Sequence, residues 1–397
     1  MIVTREPVIT RDFSLAWLAS FFEGLSWSLF IHLPGFLADL GASEAEIGLI
    51  FGIAAVAAVG VRPFVGQALD RFGRMPVIYI GNVVNVGSIL LYLTVSAIGP
   101  WVYAVRIIHG IGLATLFSAF FTYGADVVPE SRRTEGFALF GVSGLLPIAA
   151  AGVIGDIVLS VAGFRELFLT AAAMAAISLV ISLMLRERRP QQREGRARRG
   201  FFSVLEQQTL RPVWLMAGGM AFVVTAFFTF LRTYVDETGV GSVGLFFAMY
   251  GAAAIILRIG FGWVPDRIGQ KRVLFPSMGS LAAGLMVLSL ATGSVHIAVA
   301  GVLCGVGHGY GFPIMSGMVV SRALDEDRGS AVSIFTALFD LGTLVGGPVL
   351  GVIISIFGYT TMFTFAAAAI VGASFAFATW DRRMLGARAA AEAAVAG

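Results

Sequence analysis

One cysteine in 397 residues, Cys304, leaves no partner for an internal disulfide and no thiol set for zinc. Charge is also scarce. Only 13% of residues are charged against 57% hydrophobic, and the net charge of +3 is too small to suggest a nucleic-acid surface. Lys271 is the sole lysine. The chain has no HExxH, no GxSxG and no P-loop lysine motif, so nothing marks an enzyme. Neither a selectivity filter nor a ring of charges marks a channel, and no soluble ATPase domain is present to supply energy. The opening "MIVTREPVITRDF" lacks the short apolar core and small-residue cleavage site of a signal peptide. The first apolar stretch is therefore expected to stay as a helix.

What the chain has in abundance is apolar sequence, with a mean hydropathy of +0.87. A water-soluble domain exposes too much of its surface to hide this composition, so lipid is the expected solvent. A crossing needs roughly 20 apolar residues to cover about 30 Å of hydrocarbon. Twelve stretches qualify, near 13–38, 46–69, 75–96, 100–124, 136–160, 164–186, 212–234, 243–264, 272–293, 296–320, 329–354 and 358–380. Helices are expected, because lipid cannot satisfy free backbone polar groups, and the alternation of a barrel strand is absent. Arginines crowd the loops on one side, as at Arg71, Arg74, Arg132, Arg133, Arg267 and Arg272, while Arg165 and Arg232 fall on the other. The positive-inside rule then places both termini in the cytoplasm.

The single long polar segment, Arg186 to Pro212, reads as a cytoplasmic linker with a short amphipathic piece at "FFSVLEQQ" on the membrane surface. It divides the chain into a six-helix bundle over 1–186, a linker over 187–211 and a second bundle over 212–397. The tail "GARAAAEAAVAG" reads as frayed or disordered. The two bundles repeat each other. A shift of 196 puts Arg62 on Arg258, Gly66 on Gly262, Asp70 on Asp266, Arg71 on Arg267 and Gly73 on Gly269. A shift of 195 puts Gly110 on Gly305, Arg133 on Arg328 and Phe168 on Phe363. The expected fold is all-α: twelve transmembrane helices in two pseudo-symmetric six-helix bundles, with a site between them near the midplane.

Two charged knots interrupt the apolar text at equivalent places, "GQALDRFGRMPV" from Gly66 and "GWVPDRIGQKRV" from Gly262. Gly66 removes a side chain where two helices are expected to approach closely. Asp70, one turn further, can accept from the open N–H groups of another helix's N-terminus. Gly73 and Pro76 turn the chain, and Arg71 and Arg74 hold the loop on the cytoplasmic side. The knot reads as a latch between helix ends, with Gly262, Asp266 and Arg267 as its second copy.

Ionisable groups deep in a span are costly, and each is a functional candidate. Glu23 lies about ten residues into the first span, roughly 15 Å at 1.5 Å per residue. Asp340 sits at similar depth in span eleven, and His308 about halfway down span ten. A carboxyl group there can load and release a proton as water access alternates. The three are expected to converge on one central site. His109 is a weaker candidate. Arg232, near the far end of span seven, reads as snorkelling to the interface or as a gate or anion contact. Tyr310, Phe21, Phe22, Trp27, Phe117, Phe120, Phe227 and Phe228 come from the helices expected to line a cavity, and would suit an apolar or aromatic cargo. Gly305, Gly307, Gly309 and Gly311 with Pro313 point to tight packing or a bend in span ten.

"GQALDRFGRMPV" between spans two and three resembles the signature loop of the major facilitator superfamily. "RIIHGIGLA", Arg106 to Ala114, resembles the arginine-bearing motif of its proton-coupled drug antiporters. "GGPVLG", Gly346 to Gly351, resembles the antiporter glycine–proline motif, which here sits in span eleven, while span five reads "GLLPIAAAG". The resemblance covers nearly the whole chain. It implies two bundles rocking about a central cavity, with Asp70 latching span two to span eleven and Asp266 latching span eight to span five. For Arg106 it implies a role in proton coupling through a carboxylate, with Asp156 and Glu23 both open as partners. The expected protein is a bacterial cytoplasmic-membrane transporter, monomeric, without a cofactor, using protons to export a drug-like, amphipathic or metallophore-type small molecule. Uptake or exchange of an organic anion, held by Arg106, Arg232 or His308, is the alternative, with lipid transport a third.

Overall fold

A computed structural model describes residues 7–129, 132–187, 203–324 and 327–396. The described chain is helical, and no strand occurs among the described residues. The long helices are α1 (Arg11–Asp39), α2 (Glu44–Phe72), α3 (Arg74–Leu91), α4 (Pro100–Val127), α5 (Arg133–Val161) and α6 (Phe164–Ser182), then α7 (Arg211–Thr238), α8 (Val243–Phe261), α9 (Gln270–Ser289) and α10 (Ser294–Arg322). The last apolar stretch, Ser330–Met384, has 55 residues, about 80 Å of helix, more than twice the ~30 Å of a bilayer core. Gly358, with φ +78, breaks it, which gives α11 (328–357) and α12 (359–396). The described residues thus hold twelve helices long enough to cross a bilayer. The tail expected to fray continues the helix to Ala396.

Local chemistry sets several helix starts. Thr10 Oγ1 accepts from Phe13 N at α1, and Ser242 Oγ from Leu245 N at α8. Ser43 and Glu46 form a reciprocal capping box at α2. Both charged knots turn on a glycine in the left-handed region, Gly73 with φ +95 and Gly269 with φ +103. The sequence repeat is thus also a backbone repeat.

The two halves, α1–α6 and α7–α12, close on each other at the end away from the termini. There α2 and α11 meet backbone to backbone, and a methyl group on Gly48 would collide with Gly347 and one on Gly351 with Glu44. The equivalent seam joins α5 to α8, where a methyl on Gly152 would lie 3.1 Å from Gly244 Cα. Glu44 seals the first seam, accepting from Tyr359 Oη at 2.6 Å and Thr233 Oγ1 at 3.2 Å. Asp156 seals the second, accepting from Gly244 N at 2.7 Å in the first turn of α8. Among the described residues, every hydrogen bond or ion pair from α1–α6 to α7–α12 lies at this far end, except one between Arg62 and Asp340.

At the end that carries the termini the halves stand apart. Gly66 was expected at a close helix contact, yet a methyl there meets nothing within 4 Å, and the same holds at Gly60, Gly144 and Gly260. Close packing has moved to the opposite end of the same helices. Each half is instead tied within itself. Glu187 accepts from Arg74 N at 2.8 Å and Met75 N at 3.1 Å, capping α3, while Arg74 is buried and donates to Asp126 at 2.8 Å. In the second half Asp381 pairs with Lys271 and with Arg322. Arg74 is therefore a packed strut, not a free loop charge.

Most of the linker lies outside the described residues. Its short helix, Ser203–Glu206, packs against the second half. Val204 is fully buried, and Gln207 donates to Asp327 Oδ2 at 2.7 Å, so apolar and polar groups alike dock this piece onto the second half.

Candidate functional site

Arg62 of α2 donates through Nε at 2.8 Å and Nη2 at 2.6 Å to Asp340 Oδ2 of α11. Both side chains are partly buried, at 18% and 24% exposure. The register of the glycine seam would set Arg62 beside Ser333. The arginine instead leans back about two turns to reach Asp340, just where α2 and α11 part. Its guanidinium also lies 5.7 Å from the ring of Phe117, which is 53% exposed. The sequence marks Asp340 as a proton-carrier candidate and Arg62 as a repeat position within a span, but does not join the two.

Glu23 of α1 is buried at 7% exposure and accepts from Asn85 Nδ2 of α3 at 3.0 and 3.2 Å. Gly24, its neighbour, packs on Pro147 of α5, so Glu23 turns into the first half rather than toward α7–α12. Asn85 was missed by sequence reasoning. An asparagine inside an apolar span was the signal that could have found it.

His308 of α10 bonds through Nδ1 to Tyr250 Oη of α8. Its ring packs against Phe312 and Phe339, the latter next to Asp340. The expected convergence is therefore partial. Asp340 and His308 share one aromatic neighbourhood in the second half, whereas Glu23 sits apart in the first.

The remaining candidates fall elsewhere. Arg106 contacts neither carboxylate open to it. Its guanidinium lies 4.4 Å from the Phe51 ring, and Nη1 lies 3.4 Å from His109 Nδ1, which also meets Tyr92 Oη. Asp156 is engaged at the α8 N-terminus and Glu23 by Asn85. Arg232 pairs with Asp236 at 2.7 Å and lies 3.8 Å from Asp156, where the two halves close at the far end. His32, fully buried beside Asp156 at 3.9 Å, lies in the same far-end cluster and was not anticipated. Tyr310 Oη donates to Phe261 O at 2.9 Å, tying α10 to α8 away from the central aromatic cluster. Phe120 and Phe227 are buried within their own halves rather than lining a cavity, whereas Trp27 meets Phe228 across the halves.

Of the knot residues, Arg71, Asp266 and Arg267 are exposed. Gly262 has only its own helix within 4 Å. The side chain of Asp70 lies outside the described residues, and so does that of Arg328. A helix-end aspartate accepting from another helix's N-terminus, the arrangement expected at the knots, is present at the far end as Asp156 on Gly244.

Comparison with known proteins agrees with this architecture. The family model described as Major Facilitator Superfamily matches residues 16–296 and 237–394. A Methanocaldococcus jannaschii protein named an uncharacterized MFS-type transporter is 23% identical over 374 residues, covering 90% of this chain and 95% of its own. The solved nucleoside transporter NupG, as a D323A mutant, superposes with a TM-score of 0.78 at 16% identity, covering 93% of this chain and 100% of its own. The human organic anion transporter MFSD10 does so with a TM-score of 0.72 at 17% identity, covering 94% and 100%. Such identities carry the fold and not the cargo. This chain belongs to the Major Facilitator Superfamily, and is a multi-pass membrane transporter, not an enzyme.

Proposed function

We propose that the protein is a proton-coupled secondary transporter of the bacterial cytoplasmic membrane, with both termini in the cytoplasm, moving a small amphipathic molecule by alternating access. The Arg62–Asp340 pair carries the reading. Among the described residues it is the one polar link between the halves away from the far-end gate, and it stands where the seam opens. Protonation of Asp340 removes the charge that holds Arg62, so proton access and the relation between the halves are joined in one contact. Glu23, buried against Asn85, is a second proton carrier.

Arginine placement supports the orientation. With the termini inside, the conformation described is inward-facing, with the gate of Glu44, Asp156, Arg232 and Tyr359 shut on the outside. Export in exchange for protons is the direction supported by the Arg106–Ala114 text. Cargo enters from the cytoplasm between the parted halves. The Asp70 and Asp266 latches would then close as the Glu44 and Asp156 contacts release.

The test is proton release from lightly buffered, detergent-solubilised protein on addition of a panel of amphipathic compounds. Release from the wild type that Asp340→Asn or Glu23→Gln abolishes is the expected result. Saturable binding with no proton movement removes both carboxylates as carriers, and leaves facilitated diffusion or anion exchange.

A further inference from the structure

The two seams between the halves are equivalent, and they differ in one charge. Gly48 meets Gly347 in the first seam, and the residues that correspond in the second, Gly244 and Gly152, meet each other. The same correspondence sets Arg258 of α8 on Arg62, and Leu145 of α5 on Asp340. Arg258 duly reaches across its seam, with Nη1 3.7 Å from a methyl built on Gly141 of α5. Where Asp340 is the partner of Arg62, the position that corresponds for Arg258 holds a leucine.

Among the described residues Arg258 has no hydrogen-bond or ion-pair partner, and its Nε is buried without one. Its charge acts on Tyr250 and His308, which bond to each other. Neither is an anion. A desolvated guanidinium without a counter-charge is costly to keep, and an intramembrane cation of this kind calls for a named partner. Gly144, about one turn along α5 from Gly141, is exposed, and a methyl built there meets nothing within 4 Å. Beyond His308 stands the aromatic group of Phe312, Phe335 and Phe339, which offers apolar surface to the body of a bound molecule.

We infer that Arg258 binds a carboxylate carried by the transported molecule, so that the cargo supplies in one seam the counter-charge that Asp340 supplies in the other. The planar guanidinium presents a fork of donors matched to a carboxylate. The Phe312 group selects an aromatic or apolar body. The cargo class is a small amphipathic organic acid. This rests on the transporter reading above, and deepens it by naming what is carried.

The test is the melting temperature of the detergent-solubilised full chain with benzoate and phenylacetate, and with their neutral amides benzamide and phenylacetamide. The acids are expected to raise it in a concentration-dependent way, and the amides are not. Arg258→Gln is expected to lose the response. Leu145→Asp places a carboxylate opposite Arg258, as Asp340 is placed opposite Arg62, and is expected to abolish the response while the melting temperature without ligand holds or rises. That variant keeps the test decisive if Arg258→Gln folds poorly. Acids and amides acting alike, a response surviving in Leu145→Asp, a response to inorganic phosphate alone, or no response in the wild type each overturn the assignment. Proton-coupled flux of a neutral compound with no acid binding sinks this inference alone, whereas acid binding without proton movement sinks the coupling and leaves the site standing.

Discussion

Arg62 and Asp340 lie on different halves of the protein, 278 positions apart in the chain, and bond at 2.6 and 2.8 Å at the point where their helices separate. On the proposed function, this pair would couple protonation to the relation between the halves. Asp340→Asn is expected to fold and to lose proton release, with Arg62 left uncompensated. A double-mutant cycle with Arg62→Gln, read by thermal unfolding, is expected to give a coupling on the order of 2 kcal/mol. Additive losses would mean that the pair is not a unit.

Glu23 and Asn85 make a smaller unit inside the first half. Glu23→Gln keeps the shape and one acceptor, so its unfolding free energy is expected within about 1 kcal/mol of wild type, while ligand-driven proton release falls. Glu23→Ala is expected to destabilise the protein more than the glutamine does. Unchanged proton release in Glu23→Gln leaves Glu23 as a purely structural buried acid.

Glycines decide the far-end gate. A methyl on Gly48 has no room against Gly347, so Gly48→Ala is expected to force that end apart and favour the alternate conformation. Spin labels on Asp39 and Ser294, both exposed at that end, should then move apart. The single native cysteine, Cys304, is buried and need not interfere. Asp70→Asn, by weakening the proposed latch at the opposite end, is expected to hold the labels together. Distances unmoved by either change would refute the paired-gate reading.

The two knots give a comparative test. Gly73 and Gly269 both adopt positive φ, which costs an ordinary residue about 1–2 kcal/mol. A methyl on Gly73 also lies 2.7 Å from the Glu187 carboxylate, whereas one on Gly269 meets only the Arg272 side chain at 3.9 Å. Gly73→Ala is therefore expected to lower the melting temperature more than Gly269→Ala. Glu187→Gln, which keeps an acceptor for the α3 N–H groups, is expected to cost less than Glu187→Ala. Equal losses at the two glycines would remove Glu187 from the explanation.

The sequence by itself determined the crossings and the doubling, and set the expected orientation. Each rests on a local or periodic property, namely the length of an apolar run, the recurrence of Arg62, Gly66 and Asp70 at Arg258, Gly262 and Asp266, and the crowding of arginine on one side. Glu23, Asp340 and His308 were legible as candidates because an ionisable group in an apolar run stands out without knowledge of its neighbours. Their partners did not stand out. Asn85, Arg62 and Tyr250 come from other helices, and only the crossing of α1 with α3, α2 with α11 and α8 with α10 brings them within bonding distance. The same is true of the closed gate. Asp156 was visible in the sequence, but whether it would meet Arg106 or the first turn of α8 depends on which ends of the two halves touch, and that is set by packing between bundles rather than along either. The lack of a counter-charge for Arg258 among the described residues follows the same rule, since it is defined only once the tertiary structure has fixed which residues stand around the guanidinium.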